Sequence, residues 1–126
     1  MKRRIKILNR EEQAEFLLFL SNLLVGKLSV IEGRWQFKYS DEFKLKTELR
    51  PLVEFPDLDR VYENDELWQF FASRIPSTEQ PDVETVLESE NIAEDDLIAL
   101  LKRFGKRTIT NPFELKYTMR LVKFCS

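Results

Sequence analysis

The sequence contains no histidine, which removes the commonest general base and the usual zinc ligand. A single cysteine, Cys125, excludes an internal disulfide framework and a thiolate metal site, and it indicates a reducing compartment. The three glycines, Gly26, Gly33 and Gly105, lie too far apart for a phosphate-binding loop. A carboxylate pair is the remaining route to catalysis, which makes an enzyme a remote option. We therefore expect no catalytic residue, no cofactor and no metal.

Long hydrophobic runs are also missing. The longest one, Phe16 to Leu20, is far too short to cross a bilayer. Glu11, Glu12 and Glu15 precede it, and acidic residues there argue against a signal peptide. The net charge of −2 predicts no general affinity for nucleic acid or for anionic membranes. These features predict a cytoplasmic protein with no membrane partner and no direct nucleic-acid partner.

The composition is that of a globular domain. Hydrophobic residues make up 43% of the 126 residues and include ten phenylalanines, which is enough to build one hydrophobic core. Residues 1–14 form a basic N-terminal arm, which is either a solvated terminus or a segment that grips an acidic partner. Residues 15–126 form the single predicted domain.

The first half of this domain has the pattern of an antiparallel meander. Phe16 to Leu20 suits a buried strand or a buried helix, but turn residues follow it at Ser21-Asn22 and again at Glu32-Gly33. Leu24 to Ile31 is rich in branched apolar residues, which favours a strand. Alternating apolar residues then continue from Trp35 through Phe37 to Tyr39. Three strands joined by two short turns are the preferred interpretation.

The C-terminal segment also has a strand pattern, because apolar residues alternate with polar ones from Phe113 to Leu121. This strand either closes the sheet beside the meander or forms an edge that waits for another chain. We predict an α+β fold, in which a small antiparallel sheet (the N-terminal meander plus the C-terminal strand) packs with about three short helices.

The first predicted helix lies between Asp65 and Pro76. Its apolar residues recur at helical spacing and share one face: Leu67, Phe70, Phe71 and Ile75. Asn64 or Asp65 is expected to cap its start, and Pro76 to end it. Trp68 lies about 100° around the helix from Leu67, at the edge of the apolar face. The preceding residues, Asp41 to Asp59, are expected to be irregular.

Two further helices follow. Proline suits a first helical position, so one helix is predicted to begin at Pro81 and to bury Val83, Val86 and Leu87. Asn91 and Glu94 have the spacing of a capping box, which is expected to open the last helix. Gly105 is expected to end that helix.

Four motifs resemble the N-terminal domain of the HipA kinases of bacterial toxin–antitoxin systems. They are Val25–Leu28, Phe37–Tyr39, Arg50–Leu52 and the Leu67–Pro76 segment with its Phe-Phe pair. The resemblance covers about residues 16–104. HipA-like proteins continue into a long kinase domain that carries the ATP site, whereas this sequence stops at Ser126. It therefore resembles HipS, the small separate subunit of HipBST-type systems.

The resemblance implies a non-catalytic antitoxin or regulatory subunit that binds and inhibits a HipT-like serine/threonine kinase. A HipB-like DNA-binding protein is the expected further partner. The alternative is a DNA-associated repressor component of the same type of complex, whose basic N terminus and C-terminal strand would touch the operator.

The predicted partner-binding residues lie in and around the Trp68 helix: Trp68, Phe71, Asp65, Arg74 and Ser77. Trp68 is expected to be an aromatic anchor in a kinase cleft, with Asp65, Arg74 and Ser77 as polar contacts around it. The competing interpretation is that Trp68 packs internally against Phe71 and the sheet.

Overall fold

The computed structural model describes residues 13–109 and 111–118. These residues form five strands and four helices: β1 (Ala14–Leu20), β2 (Leu23–Ile31), β3 (Arg34–Tyr39), α1 (Asp41–Lys44), β4 (Tyr62–Asn64), α2 (Gln69–Ala72), α3 (Pro81–Glu90), α4 (Leu97–Phe104) and β5 (Phe113–Tyr117). Nearly all of the predicted basic arm lies outside the described residues.

The predicted meander is confirmed. β1 pairs antiparallel with β2, and β2 pairs antiparallel with β3. Ser21 has φ 54° in the first turn, while Glu32 and Gly33 have φ 50° and 82° in the second. Two consecutive residues with positive φ give a turn whose twist matches that of the flanking strands, so the second turn joins β2 and β3 with only two residues.

The C-terminal strand joins this meander. β5 pairs antiparallel with β1, with Leu115 opposite Leu18, and the strand order is β4-β3-β2-β1-β5. β5 therefore closes the sheet beside the meander, which is the first of its two predicted placements, and it lies at the edge of the sheet. Residues 119–121 of the predicted strand lie outside the described residues. β4 was not predicted; it pairs with β3 at the opposite edge, between the segment that was expected to be irregular and the predicted helix. The α+β fold with an antiparallel sheet and short helices is confirmed.

One face of the sheet carries the main hydrophobic core. Inward-facing aromatic and aliphatic side chains of β1, β2 and β3 are buried there: Phe16, Leu18, Leu28, Val30, Trp35, Phe37 and Tyr39. Side chains from the helices and from the long connection cover them: Phe43, Phe55, Phe71, Ile98 and Leu101. Each large side chain buried in this way stabilises the fold by about 1.5–3 kcal/mol. The core therefore fixes the connection between β3 and α2 against the sheet.

The helix predicted from Asp65 to Pro76 is shorter than expected. α2 spans only Gln69–Ala72, and Trp68 occupies its N-cap without a side-chain capping bond. The prediction that Asn64 or Asp65 caps this helix is wrong. Asn64 belongs to β4, opposite Trp35, and its side chain donates a hydrogen bond to the Glu66 carbonyl. The helix cannot begin until the chain has left the strand.

The start of α3 and the end of α4 are confirmed, but the capping box that was predicted to open α4 at Asn91 is wrong. Pro81 is the first residue of α3, and Gly105 ends α4, as expected. Asn91 ends α3 in the left-handed conformation at φ 57°, where an asparagine side chain is tolerated. The N-cap of α4 is Asp96, whose carboxylate accepts a hydrogen bond from the Ala99 amide at 3.1 Å. Glu94 instead accepts one from the Thr78 hydroxyl.

Candidate functional site

The connection that supports the predicted site is held to the sheet by one phenol. The Tyr39 hydroxyl donates a hydrogen bond to the Phe55 carbonyl at 2.6 Å and accepts one from the Leu52 amide at 2.8 Å. Burial raises the pKa of Tyr39 to about 12, because the phenolate would lose its hydration. A neutral Tyr39 therefore pins Phe55 in place, and Phe55 lies directly beside Trp68.

Trp68 is only partly buried. Its ring packs edge-on against Phe55, with the centroids 5.0 Å apart and the planes at 81°. Phe55 in turn lies 6.1 Å from Phe71, centroid to centroid. The ring therefore packs against the core, as the second interpretation expects, while the residue keeps part of its surface exposed. The predicted role as an anchor stays a prediction.

Phe71 is a core residue, with no exposed surface. Its ring lies 5.7 Å from Phe37 of β3 and next to Phe55. The prediction that Phe71 itself meets a partner does not fit this position, because the side chain points into the core beneath α2. Leu67, Phe70 and Ile75 also pack against the core, although only Phe70 of these three lies within α2.

Arg74 is also buried, with 4% of its surface exposed, and it does not lie around Trp68 as a polar contact. Its two terminal nitrogens donate hydrogen bonds to four acceptors: Gly105 O (3.1 Å), Lys106 O (3.4 Å), Asn111 Oδ1 (3.2 Å) and Phe113 O (3.0 Å). Burial lowers the pKa of Arg74, and these oxygen atoms offset part of the lost hydration. The predicted role as an exposed contact is replaced by an internal one.

Asp65 and Ser77 remain on the surface. The Asp65 side chain is 84% exposed, and its carboxylate accepts a contact from Arg34 Nε at 3.1 Å. The Ser77 hydroxyl accepts a hydrogen bond from the Glu79 amide in the turn that leads to α3. Among the five predicted site residues, only Trp68, Asp65 and Ser77 therefore have side chains that a partner could reach.

Sequence reasoning missed two strongly exposed apolar side chains. Leu45, just after α1, is 79% exposed, and Val53, between the two residues bound by Tyr39, is 95% exposed. Both lie in the segment that was interpreted as irregular, where no periodic pattern separates inward from outward positions. The same lack of pattern hid the hydrogen bonds of Tyr39, which join positions 13 and 16 residues apart.

No group of three or more residues able to hold a metal ion occurs within residues 13–109 and 111–118. In the same part of the chain, no helix is both long and apolar enough to cross a membrane. The accessible features are an aromatic edge, flanking carboxylates and a hydroxyl, which suit contacts with another protein.

Comparison with protein families gives a match. A family model described as the HipA N-terminal domain matches residues 16–110, from β1 to just before β5. No curated protein matches the chain. The matched residues include all four sequence motifs, together with the hydrogen bond from Leu52 to Tyr39 that joins two of them. They cover well over half of the chain and place it in a toxin–antitoxin context. The chain belongs to the HipA N-terminal domain family.

Proposed function

We propose that this chain is a non-catalytic, HipS-like antitoxin subunit that binds and inhibits a HipT-like serine/threonine kinase. Its family belongs to toxin–antitoxin systems, and relatives that it resembles carry this domain fused to a kinase. A HipB-like DNA-binding protein completes the proposed complex. The observation that carries the proposal is the position of Trp68, a large aromatic side chain left partly accessible at the start of a short helix.

The surroundings of Trp68 suit an anchor for a partner. The Phe55 ring packs against the indole at 81°, and Phe71 is buried in the core beneath α2, so the indole is held in place before any partner arrives. A side chain held in this way loses little conformational entropy on binding. Truncation of such an anchor commonly costs about 2–4 kcal/mol of binding free energy.

The charge near Trp68 indicates what the kinase surface would offer. Glu63 and Asp65 have exposed carboxylates, and both contact Arg34 on the neighbouring strand. Glu66 is exposed as well. Because the acidic side chains outnumber Arg34, lysine or arginine side chains on the kinase would complement this rim.

The experiment compares the binding of three proteins to a purified HipT-like kinase from the same genome: wild type, Trp68→Ala and Val53→Ala. Val53 is the matched control, because it is an exposed apolar side chain outside the proposed contact. Isothermal titration calorimetry measures the affinity, and circular dichroism checks the fold. We expect Trp68→Ala to weaken binding by about 30-fold or more and Val53→Ala to leave it unchanged.

Two results would contradict the proposal. If wild type does not bind the kinase, the proposed function fails as a whole. If folded Trp68→Ala binds as tightly as wild type, Trp68 is not the anchor. Should Trp68→Ala lose its fold, Trp68→Phe is the substitute. It keeps the contact with Phe55 but removes the indole edge that would enter the partner.

A further inference from the structure

We infer that Arg74 is a positioning residue, which holds residues 68–75 (the Trp68 segment) against β5 through hydrogen bonds. The affinity for the partner would then depend on β5, a strand outside the proposed contact. We call Arg74 and its four acceptor residues the Arg74 clasp; the acceptors are Gly105, Lys106, Asn111 and Phe113. The consequence for kinase affinity rests on the proposed function, whereas the clasp itself rests on the geometry of this chain alone.

The clasp joins three parts of the fold through one guanidinium group. One terminal nitrogen, Nη1, donates to the carbonyls of Gly105 and Lys106, at the end of α4. The other, Nη2, donates to Asn111 and to the Phe113 carbonyl, at the start of β5. The end of a helix carries a partial negative charge on its free carbonyls, which favours a buried cation. All four acceptors are neutral oxygen atoms. Hydrogen bonds to carbonyl and amide oxygens, rather than an ion pair with a carboxylate, therefore hold Arg74 in this position.

The start of β5 depends on this arrangement. The Leu115 amide donates to the Lys106 carbonyl at 2.9 Å rather than to β1, and the Phe113 carbonyl accepts from Arg74. These backbone groups lie on the outer edge of β5, where unpaired groups would otherwise face solvent. The Lys106 carbonyl therefore accepts hydrogen bonds from both Arg74 and Leu115. These contacts give partners to the outward-facing backbone groups of Phe113 and Leu115 in the first half of β5.

The Trp68 segment depends on the clasp from the other side. The amides of Phe71 and Ala72 donate to the Trp68 carbonyl, and the Arg74 amide donates to the Phe71 carbonyl, so hydrogen-bonded turns connect Trp68 with Arg74. A helix of four residues has little stability of its own and needs tertiary contacts at its ends. Arg74 supplies one of these contacts.

Aromatic packing strengthens the same connection. The Phe70 ring lies 5.6 Å from the Phe113 ring of β5, and the Arg74 guanidinium lies 5.7 Å from the centroid of Phe70. The match to the HipA N-terminal domain family ends at residue 110, before β5 begins. The clasp thus fastens a strand outside the matched residues to the segment that carries Trp68.

The test uses two substitutions in the 126-residue chain that should change hydrogen exchange in opposite directions. Arg74→Lys keeps the positive charge but loses the forked donors that reach four acceptors at once. Asn111→Asp places a carboxylate beside Nη2, where a charge-assisted hydrogen bond is stronger than a neutral one. Arg103→Lys is the matched control, because Arg103 makes an exposed ion pair with Glu90 away from the clasp.

Hydrogen exchange followed by mass spectrometry reports on each segment separately. In Arg74→Lys we expect exchange to be faster by about tenfold in residues 68–75 and in residues 113–117, with β2 and β3 unchanged. In Asn111→Asp we expect slower exchange in both segments. The kinase affinity should fall in Arg74→Lys and should not fall in Asn111→Asp, while Arg103→Lys matches wild type in every measurement.

The clasp is refuted if either substitution changes exchange in β5 alone and leaves residues 68–75 as in wild type. It is also refuted if Arg74→Lys accelerates exchange uniformly over the whole chain, because that result indicates a general loss of stability. If Arg74→Lys does not fold, Asn111→Asp decides by the same criterion. Failure of wild type to bind the kinase would overturn the proposed function, while the exchange data would still decide the clasp.

Discussion

The Tyr39 hydroxyl lies 2.8 Å from the backbone amide of Leu52 and accepts its hydrogen bond inside the core. Tyr39 ends β3, and Leu52 belongs to the connection that follows α1, so this bond unites two motifs that are separated by 13 residues. The same hydroxyl donates to Phe55, the aromatic side chain that supports Trp68. The fold and the candidate site therefore share one buried phenol.

Tyr39→Phe should lower the free energy of unfolding by about 1–3 kcal/mol. The substitution keeps the ring but leaves the Leu52 amide and the Phe55 carbonyl without their buried partner. Urea denaturation measures the difference. Tyr117→Phe is the control, because Tyr117 is 39% exposed and should stay within about 0.5 kcal/mol of wild type. Equal values for the two variants would contradict this role of Tyr39.

Alkaline pH should erode the difference between wild type and Tyr39→Phe. The pKa of Tyr39 is raised to about 12 in the folded protein, whereas an unfolded tyrosine titrates near 10. Between these values the unfolded chain loses the proton first, so the contribution of Tyr39 is complete below pH 10 and is lost as the pH rises toward 12. Denaturation of both proteins over this range measures the effect. A constant difference would contradict the raised pKa.

Gly26→Ala should destabilise the sheet by about 1–3 kcal/mol through overpacking. A Cβ atom at this position would lie 2.6 Å from the Lys38 carbonyl oxygen and 2.7 Å from Phe37 Cζ, both on β3. The backbone oxygen cannot move without disturbing the β2–β3 ladder. Chemical denaturation tests this expectation, and an unchanged free energy of unfolding would show that the strands separate locally without cost.

Asp96→Ala should cost about 1 kcal/mol of stability, because it removes the side chain that caps α4. Asn91→Gly should stay within about 0.5 kcal/mol of wild type, since glycine suits the left-handed end of α3 at least as well as asparagine does. Thermal or urea unfolding of the two variants distinguishes the capping roles. If Asn91→Gly lost more stability than Asp96→Ala, the result would support the capping box that was predicted from Asn91.

Local sequence patterns predicted the elements whose side chains meet solvent on one side and the core on the other. The alternation of Trp35, Phe37 and Tyr39 predicted β3, and all three side chains are buried on the same face. Pro81 and Gly105 likewise marked the start of α3 and the end of α4, because their backbone constraints act within one turn.

Features that depend on distant pairing could not be predicted in this way. Tyr62 to Asn64 has no clear strand pattern, and it forms β4 because the edge of β3 is available to it. Because residues 62–64 belong to β4, α2 begins only at Gln69, and Trp68 is its N-cap. Arg74 was predicted to be a surface contact, whereas its side chain is buried against acceptors that lie 31 to 39 residues further along the chain.

The exposure of the candidate residues was therefore predicted in part. Trp68 keeps part of its surface exposed, and Asp65 and Ser77 are on the surface. Phe71 and Arg74 instead build the support beneath it. Periodicity identifies which side of a helix is apolar, but it does not show which charged side chain folds inward to meet free carbonyls.

The most direct test of the central claim is the activity of a HipT-like kinase from the same genome, measured as phosphate transfer from ATP with increasing amounts of this chain. We expect kinase activity to fall to background as the wild-type chain approaches one equivalent of the kinase. Trp68→Ala should need a large excess over the kinase to reach the same inhibition. The chain alone should transfer no phosphate. Full kinase activity in the presence of a large excess of folded wild-type chain would contradict the account.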